Sequence, residues 1–193
     1  MLTRMSTFVE CLKPYEAVIT EHGTDKNTTH SYGPVYDTLF YPYKEKPIRL
    51  LEIGIAGGYA LLAYADYFPN ADIYGIDIVN SVHKKAWENP RFGLTIANAL
   101  EKPVVDSYKG IFDIIIEDAS HKVEHQIQHF RDFAPKVASG GLYIIEDIVG
   151  PNADYIKNTI RPIADCLGFS LEIIDLRSVK GRYDDVLIVA RRN

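Results

Sequence analysis

The stretch IRLLEIGIAGG, residues 48–58, decides the fold, because it combines a buried strand with a glycine turn. Its first part, IRLLEIG (48–54), is a nearly continuous apolar run, which is typical of a strand covered by helices on both faces of a sheet. The segment that follows the turn, YALLAYADYF (59–68), has helical spacing. A strand, a tight turn and a helix in this order indicate the first unit of a doubly wound sheet.

The same alternation of strand and helix continues from this unit to the C-terminus. We predict helices over 121–137 and 152–168, and further strands over 71–79, 92–98, 112–118, 140–147, 169–177 and 184–191. The last two strands are joined by about six residues with no helix between them, which is too short for a parallel crossover. The sequence therefore predicts an α/β, doubly wound (Rossmann-like), mostly parallel seven-stranded sheet with an antiparallel C-terminal hairpin.

The residues before the first strand have a different pattern. We predict a helix from Ser6 to Glu21 with a kink or break at Pro14, and a short helix over 35–43. The polar run EHGTDKNTTHSYGP (21–34) between them is interpreted as an active-site loop, with a mobile surface connection as the alternative. No linker divides the chain, so we expect one domain over 1–193, made of an N-terminal helix and loop segment (1–47) and an α/β core (48–193).

Composition limits the partners of the chain. Its 193 residues are 47% hydrophobic and 24% charged, and 21 basic against 26 acidic residues give a net charge of −5, which argues against a primary nucleic-acid binder. Two cysteines, Cys11 and Cys166, exclude a disulfide scaffold and favour a reducing compartment. No apolar stretch approaches the roughly 20 residues of a membrane span. We therefore expect a cytoplasmic location without membrane contact. The sequence leaves open whether the chain forms a homo-oligomer.

The glycine turn after the first strand is a candidate nucleotide site. Gly54, Gly57 and Gly58 allow a ligand to approach the backbone and the start of the next helix. The turn departs from the dinucleotide pattern G-x-G-x-x-G, since Ala56 and not glycine stands there. Asp77 ends the second strand 23 residues after Gly54, where a carboxylate can accept both ribose hydroxyls. The alternative is a turn that serves only tight packing of strand on helix.

With these residues the chain resembles the class I S-adenosylmethionine-dependent methyltransferases. The turn E-x-G-x-x-G-G is similar to their first motif, with Ala56 where many members have glycine, and the resemblance covers roughly residue 49 to the C-terminus. It implies S-adenosylmethionine as cofactor, Asp77 as the ribose-binding acid, and Asn98 and Ala99 beside the adenine. The turn residues implied in cofactor binding are Glu52, Gly54, Gly57 and Gly58.

Three carboxylates follow two neighbouring predicted strands. Asp118 ends the fourth strand, and Glu146 and Asp147 end the fifth. Adjacent strands lie about 4.8 Å apart, so the three groups can meet at one edge of the sheet, where their mutual repulsion favours a divalent cation. Oxygen ligands favour Mg²⁺, Mn²⁺ or Ca²⁺ over zinc or copper. The alternative is that these acids only cap helix N-termini.

His121 lies three residues after Asp118, where its imidazole can take a proton from a hydroxyl group. The alternative is a polar residue that points into water. A second pattern competes with this one, because His121, Glu124 and His125 spell H-x-x-E-H, a signature of zinc peptidases. That motif leaves the acids at 146 and 147 unexplained. We therefore favour His121 as a base beside a cation over a zinc hydrolase.

The two acidic segments narrow the resemblance to metal-dependent sugar O-methyltransferases acting on macrolide glycosides. Those enzymes pair D-x-x-H with a later Glu-Asp pair, here EDASH (117–121) and YIIED (143–147), and carry G-[ST]-D-K upstream, here Gly23 to Lys26, followed by aromatic residues such as Tyr32. The similar catechol-type enzymes have lysine at the base position and Asp-Asn at the second strand end.

The narrower resemblance implies a carbohydrate or glycoside acceptor, with a rhamnose-type deoxysugar favoured. It implies Mg²⁺ or Mn²⁺ held by Asp118, Glu146 and Asp147, with His121 as the catalytic base. Thr24 and Tyr32 are candidates for the methionine end of the cofactor. Two alternatives stay open, a catechol or phenol O-methyltransferase and a non-catalytic nucleotide-binding protein.

Overall fold

The computed structural model describes residues 6–16 and 23–193. Seven strands form one sheet in the order β3-β2-β1-β4-β5-β7-β6. β1 to β5 are parallel, and β7 runs antiparallel to both β5 and β6. The predicted seven-stranded fold with its C-terminal hairpin is confirmed. The strands are β1 Arg49–Ile53, β2 Asp72–Asp77, β3 Phe92–Ile96, β4 Phe112–Glu117, β5 Val137–Ile145, β6 Phe169–Asp175 and β7 Val186–Arg192.

Helices cover both faces of the sheet. They are α1 Phe8–Leu12, α2 Gly33–Phe40, α3 Tyr59–Tyr67, α4 Lys84–Trp87, α5 Lys102–Ser107, α6 Val123–Phe133, α7 Ala153–Leu167 and α8 Arg177–Lys180. Along β4, Ile114 and Ile116 pack into the core beneath α1, α2 and α3, while Ile115 packs into the core beneath α5, α6 and α7. This alternation explains the nearly continuous apolar run, since both faces of the strand are buried. Among the described residues, no helix has the length and apolar character that a membrane span requires.

Three short helices differ from the sequence prediction. α4 and α5 were not predicted, and α8 lies in the β6–β7 connection, where no helix was expected. Helices of four to six residues are too short to show an apolar period of 3.6. α8 still permits the antiparallel hairpin, because a single turn on the connection does not need to cross the sheet.

The N-terminal helix is shorter than predicted. α1 ends at Leu12, a 3₁₀ turn containing Pro14 follows, and Glu16 is extended. The predicted break at Pro14 is confirmed, whereas a helix continuing through Glu16 is wrong because proline removes a backbone donor. Residues 17–22, which include the end of the predicted helix, lie outside the described residues. Phe8 anchors α1 by ring contacts within 5.7 Å to Tyr36, Phe40, Tyr64 and Tyr67.

The segment from Gly23 to Tyr32 is a packed loop at the carboxyl edge of the sheet, and not a surface connection. Four of its polar side chains are buried, namely Thr24, Lys26, His30 and Ser31. Lys180 of α8 donates hydrogen bonds to the backbone carbonyls of Asn27 (2.6 Å), Thr28 (3.1 Å) and His30. The carboxylate of Asp185 accepts the Ser31 N–H at 3.1 Å. The C-terminal hairpin therefore fixes the loop in place.

Candidate active site

One cavity of about 570 Å³ lies outside the carboxyl ends of the parallel strands, where ligands of such sheets bind. Ten of the thirteen residues expected at the site line it. They are Thr24, Glu52, Gly54, Gly57, Asp77, Asn98, Ala99, Asp118, His121 and Asp147. Gly58, Tyr32 and Glu146 do not line it.

The glycine turn brings the ends of β1 and β4 together. Gly54 has φ +87°, and a Cβ atom there would clash with the backbone carbonyl of Asp118. Gly58 has φ +74° and caps the N-terminus of α3, so its role is to start the helix and not to line the cavity. Glycine adopts positive φ at little cost in free energy, and it has no Cβ atom to clash with the neighbouring backbone.

Asp77 organises the turn from the neighbouring strand. Its Oδ2 atom accepts the N–H groups of Ile55 (2.9 Å) and Ala56 (2.8 Å), and Oδ1 accepts that of Val79 (2.9 Å). The carboxylate thus lies at the cavity wall, and its Oδ1 atom accepts only one backbone N–H group. Asn98 lies beyond the end of β3, and its side-chain oxygen accepts the Leu100 N–H at 3.1 Å. Both residues line the side of the cavity formed by β2 and β3.

Asp118, His121 and Asp147 meet in the same cavity. One potential ligand atom from each lies within 4.8 Å of the other two. His121 Nε2 is 3.7 Å from Asp147 Oδ2. Burial, together with the charge of Asp118, raises the pKa of Asp147 to about 6. A cation at this position would favour the charged form of Asp147 and so oppose both effects.

Backbone strain is concentrated at this cavity. Within residues 6–16 and 23–193, the non-glycine residues with positive φ are Ala56 (+43°), His121 (+56°) and Asp147 (+53°). All three line the cavity. Left-handed conformations of such residues cost free energy and cluster at functional sites, which marks this cavity as the functional one.

Glu146, predicted as a metal ligand, does not line the cavity. Its side chain is 1% exposed, and it accepts hydrogen bonds from Lys26 Nζ at 2.6 Å and from the Tyr36 hydroxyl. Both carboxylate oxygens of Glu146 therefore have a hydrogen-bond partner. The predicted convergence of acids does occur, but the cation beside Glu146 is a lysine ammonium.

Lys26, to which the sequence interpretation gave no role, lies among the acids at this edge of the sheet. Its Nζ atom lies 2.6 Å from Asp118 Oδ2, 2.6 Å from Glu146 Oε2 and 3.2 Å from Glu52 Oε1. Burial acts to lower the pKa of Lys26, but the charges of Asp118 and Glu146 outweigh it and hold the pKa well above its ordinary value. Burial raises the pKa of Glu52 to about 7, against the opposing charge of Lys26. The sequence signal was present, since an acid-rich sheet edge requires a counter-charge and G-T-D-K supplies one.

Tyr32 lies behind the acidic cluster and not at the cavity. Its side chain is fully buried, stacks on His30 with ring centroids 4.9 Å apart, and donates a hydrogen bond to Asp147 Oδ1 at 2.6 Å. It therefore contacts Asp147, whereas the methionine end of a cofactor was expected. Thr24, predicted for the same end, does line the cavity.

The H-x-x-E-H pattern does not form a zinc site in this structure. His121 precedes α6, which begins at Val123, so His121 and His125 are not one helical turn apart on one face. His125 Nδ1 lies 2.7 Å from Ser120 Oγ, and Glu124 is exposed. Within the described part of the chain, the histidine-containing group with metal-binding geometry is Asp118, His121 and Asp147.

The residues facing the cavity fit a hard divalent cation. Asp118 and Asp147 offer carboxylate oxygens at the rim of the cavity, and the ring of His121 lies beside them. Mg²⁺ is commonly held by one or two carboxylates with several waters, and Mn²⁺ accepts the same donors. Glu146 belongs with Glu52 and Asp118 to a second group, in which one carboxylate oxygen of each lies within 4.8 Å of the other two.

Proteins with similar sequences are O-methyltransferases. No family model matches the chain. It is 31% identical over 138 residues to 8-demethyl-8-alpha-L-rhamnosyl tetracenomycin-C 2'-O-methyltransferase of Streptomyces olivaceus, covering 66% of this chain and 35% of the relative. It is 33% identical over 129 residues to mycinamicin VI 2''-O-methyltransferase of Micromonospora griseorubida, covering 62% and 32%. The chain thus spans about a third of the length of these relatives.

Solved structures show the same fold. MycE methyltransferase from the mycinamycin biosynthetic pathway, in complex with Mg and SAH, superposes with a TM-score of 0.73 at 25% identity, covering 98% of this chain and 56% of that chain. Fibrillarin of Aeropyrum pernix, with natively bound S-adenosyl-L-methionine, has a TM-score of 0.59 at 17% identity, covering 76% and 67%. The chain therefore has the fold of the class I S-adenosylmethionine-dependent methyltransferases, and in sequence it is similar to the sugar O-methyltransferases of that class.

Proposed function

We propose that the chain transfers the methyl group of S-adenosylmethionine to a sugar hydroxyl, with Mg²⁺ or Mn²⁺ as a second cofactor. One observation carries this proposal. A single cavity joins a nucleoside-binding wall, with the glycine turn, Asp77 and Asn98, to an acid–base wall, with Asp118, His121 and Asp147. A cofactor with a nucleoside at one end and a reactive group at the other can span such a cavity.

The nucleoside wall binds the cofactor through backbone and carboxylate groups. Gly54 leaves room for the ligand against the turn, and Asp77 offers an acceptor for the ribose hydroxyls. Asn98 and Ala99 lie where the adenine would rest, and the buried side of Ala99 provides an apolar surface for it. Thr24 and Glu52 line the part of the cavity nearer the acids, which suits the methionine end.

The acid–base wall activates the acceptor. A divalent cation held by Asp118 and Asp147 would orient the acceptor and lower the pKa of its hydroxyl. His121 is 40% exposed at the cavity rim and accepts the hydroxyl proton at Nε2. Asp147, 3.7 Å from that nitrogen, stabilises the imidazolium that forms. Tyr32 holds Asp147 in place by its hydrogen bond.

The two parts of the chain act as one unit in this proposal. Lys26 and Tyr36, from the 1–47 segment, bond to Asp118 and Glu146 of the 48–193 core. Without that segment the acidic edge would lose its counter-charge. We also propose a reducing, cytoplasmic setting, supported by Cys11 and Cys166, which are unpaired.

The acceptor we propose is a rhamnose-type deoxysugar on a larger glycoside, supported by the tetracenomycin and mycinamicin activities of the relatives. A mass-spectrometric screen with S-adenosylmethionine and Mg²⁺ or Mn²⁺ would test it, using rhamnosyl glycosides, other glycosides and catechols as acceptors. Methylation of glycosides alone supports the proposal. Methylation of catechols alone favours the phenol alternative, and cofactor binding without methylation of any acceptor favours a non-catalytic protein.

A further inference from the structure

Asp25 is an exposed carboxylate at the cavity to which the proposed reaction gives no role. It lines the cavity between Thr24 and Lys26, and its side chain is 54% exposed. Within the described residues its candidate ion-pair partner is His30, whose Nε2 atom lies 3.8 Å from Asp25 Oδ2, a distance longer than a hydrogen bond. The carboxylate of Asp25 is therefore available to a cationic group of a ligand in the cavity.

The backbone of Asp25 is held firmly in the loop. Its carbonyl oxygen accepts the N–H groups of Thr28 (3.2 Å), Thr29 (3.1 Å) and His30 (3.0 Å). The next side chain along the chain, Lys26, is 2% exposed and lies among the acids of the sheet edge, whereas Asp25 is open to the cavity. A carboxylate on a fixed backbone loses little conformational freedom when it binds a ligand, so Asp25 is preorganised for binding.

Most other carboxylates at the cavity already have a partner or a role. Asp118 Oδ2 lies 2.6 Å from Lys26 Nζ, and Asp147 accepts the Tyr32 hydroxyl at 2.6 Å. Asp77 accepts backbone N–H groups of the glycine turn and is assigned to the ribose. Among the residues that the structure describes, five carboxylates line the cavity, namely Asp25, Glu52, Asp77, Asp118 and Asp147. Asp25 and Glu52 are thus left for a further group of the cofactor.

Glu52 shares its charge with groups of the protein. Its side chain is 1% exposed, its Oε1 atom lies 3.2 Å from Lys26 Nζ, and the Tyr64 hydroxyl donates to the same oxygen at 3.1 Å. A ligand ammonium beside Glu52 would also lie near the ammonium of Lys26, which repels it. A second carboxylate is needed to balance the two cations, and Asp25 supplies it at the cavity surface.

We propose that Asp25 binds the α-ammonium group at the methionine end of S-adenosylmethionine, as a second acceptor next to Glu52. This inference rests on the cofactor of the proposed function and adds a residue to its binding site. The methionine end carries a positive ammonium group, whereas the hydroxyl groups of a sugar are neutral. Charge therefore assigns Asp25 to the cofactor and not to the acceptor.

Two ligands that differ in one amino group test this inference without an activity assay. They are S-adenosylhomocysteine and its analogue in which hydrogen replaces the α-amino group. Isothermal titration calorimetry measures both affinities for the wild type, Asp25→Asn, Asp25→Ala and the control Glu16→Gln. Glu16 is a matched control, because it accepts a hydrogen bond from Asn27 of the same loop at 2.9 Å but does not line the cavity. Melting temperatures show whether each variant is folded.

The wild type should bind S-adenosylhomocysteine about tenfold to hundredfold more tightly than the deaminated analogue, because a charge-assisted hydrogen bond is lost. This preference should fall about tenfold in Asp25→Ala and by less in Asp25→Asn, which keeps a neutral acceptor. The affinity for the analogue should stay unchanged in both variants, and Glu16→Gln should keep the full preference.

An unchanged preference in both folded Asp25 variants would overturn the inference and leave the proposed function standing. An equal fall in Glu16→Gln, or an equal loss of affinity for both ligands in the Asp25 variants, would also overturn it, since either result would indicate a disturbed loop. If the wild type binds neither ligand, the inference and the proposed function are both wrong.

Discussion

Replacement of Asp77 by alanine should weaken S-adenosylmethionine binding about tenfold to hundredfold. The carboxylate accepts three backbone N–H groups at 2.8–2.9 Å, and it is the acceptor proposed for the ribose hydroxyls. A hydrogen bond to a charged group contributes about 1.5–3 kcal/mol, and every 1.4 kcal/mol changes a dissociation constant about tenfold. The loss of a single ribose contact therefore accounts for the expected range.

Asp77→Asn separates the ribose contact from the order of the turn. Asparagine keeps one oxygen for the N–H groups of Ile55 and Ala56 but loses the charge, so its affinity should lie between those of the wild type and Asp77→Ala. Isothermal titration calorimetry with S-adenosylmethionine measures the affinities, and circular dichroism checks that each variant is folded. Unchanged affinity in folded Asp77→Ala would refute the assignment of the ribose to this wall.

Four further outcomes follow from the structure. His121→Ala should lower turnover by about 10²–10⁴ with cofactor affinity retained, whereas His125→Ala should have a much smaller effect; equal losses in the steady-state rates would contradict the base assignment. Chelation should abolish transfer and leave cofactor binding intact in calorimetry, and addition of Mg²⁺ or Mn²⁺ should restore the rate. Gly54→Ala should lower the free energy of unfolding in urea by more than Gly168→Ala, since both have positive φ but only the first would meet a backbone atom; equal losses would argue against that clash. Lys180→Ala should speed amide hydrogen exchange of residues 24–32 relative to the sheet, and unchanged exchange would show that α8 does not hold the loop.

The sheet and the acids at its edge could be predicted, because their signals are local. Apolar runs bounded by turns define the strands, and Asp118 and Asp147 follow directly from the strand ends. The hydrogen-bond partner of Glu146 could not be predicted from such local signals. Lys26 lies 120 residues before Glu146, and which cation neutralises a buried acid depends on how the loop packs. A pattern of residue types shows that a counter-charge is needed, but not which group provides it.

The direction in which individual side chains point could not be predicted from the sequence either. The resemblance made Tyr32 a candidate for the methionine end of the cofactor, and the structure places its hydroxyl against Asp147. His121 was placed at the start of a helix, and its left-handed backbone two residues before that helix instead brings its ring to Asp147. Positive φ at a non-glycine residue is imposed by tertiary packing, so sequence propensity does not reveal it.

Transfer of a labelled methyl group to a sugar tests the central proposal most directly. The chain is incubated with S-adenosylmethionine carrying a trideuterated methyl group, a rhamnosyl glycoside and Mg²⁺, and the product is fragmented in a mass spectrometer. The account predicts the label on a sugar oxygen, and its absence after exhaustive chelation. A label on the aglycone, or full transfer to the sugar in the presence of chelator, would contradict it.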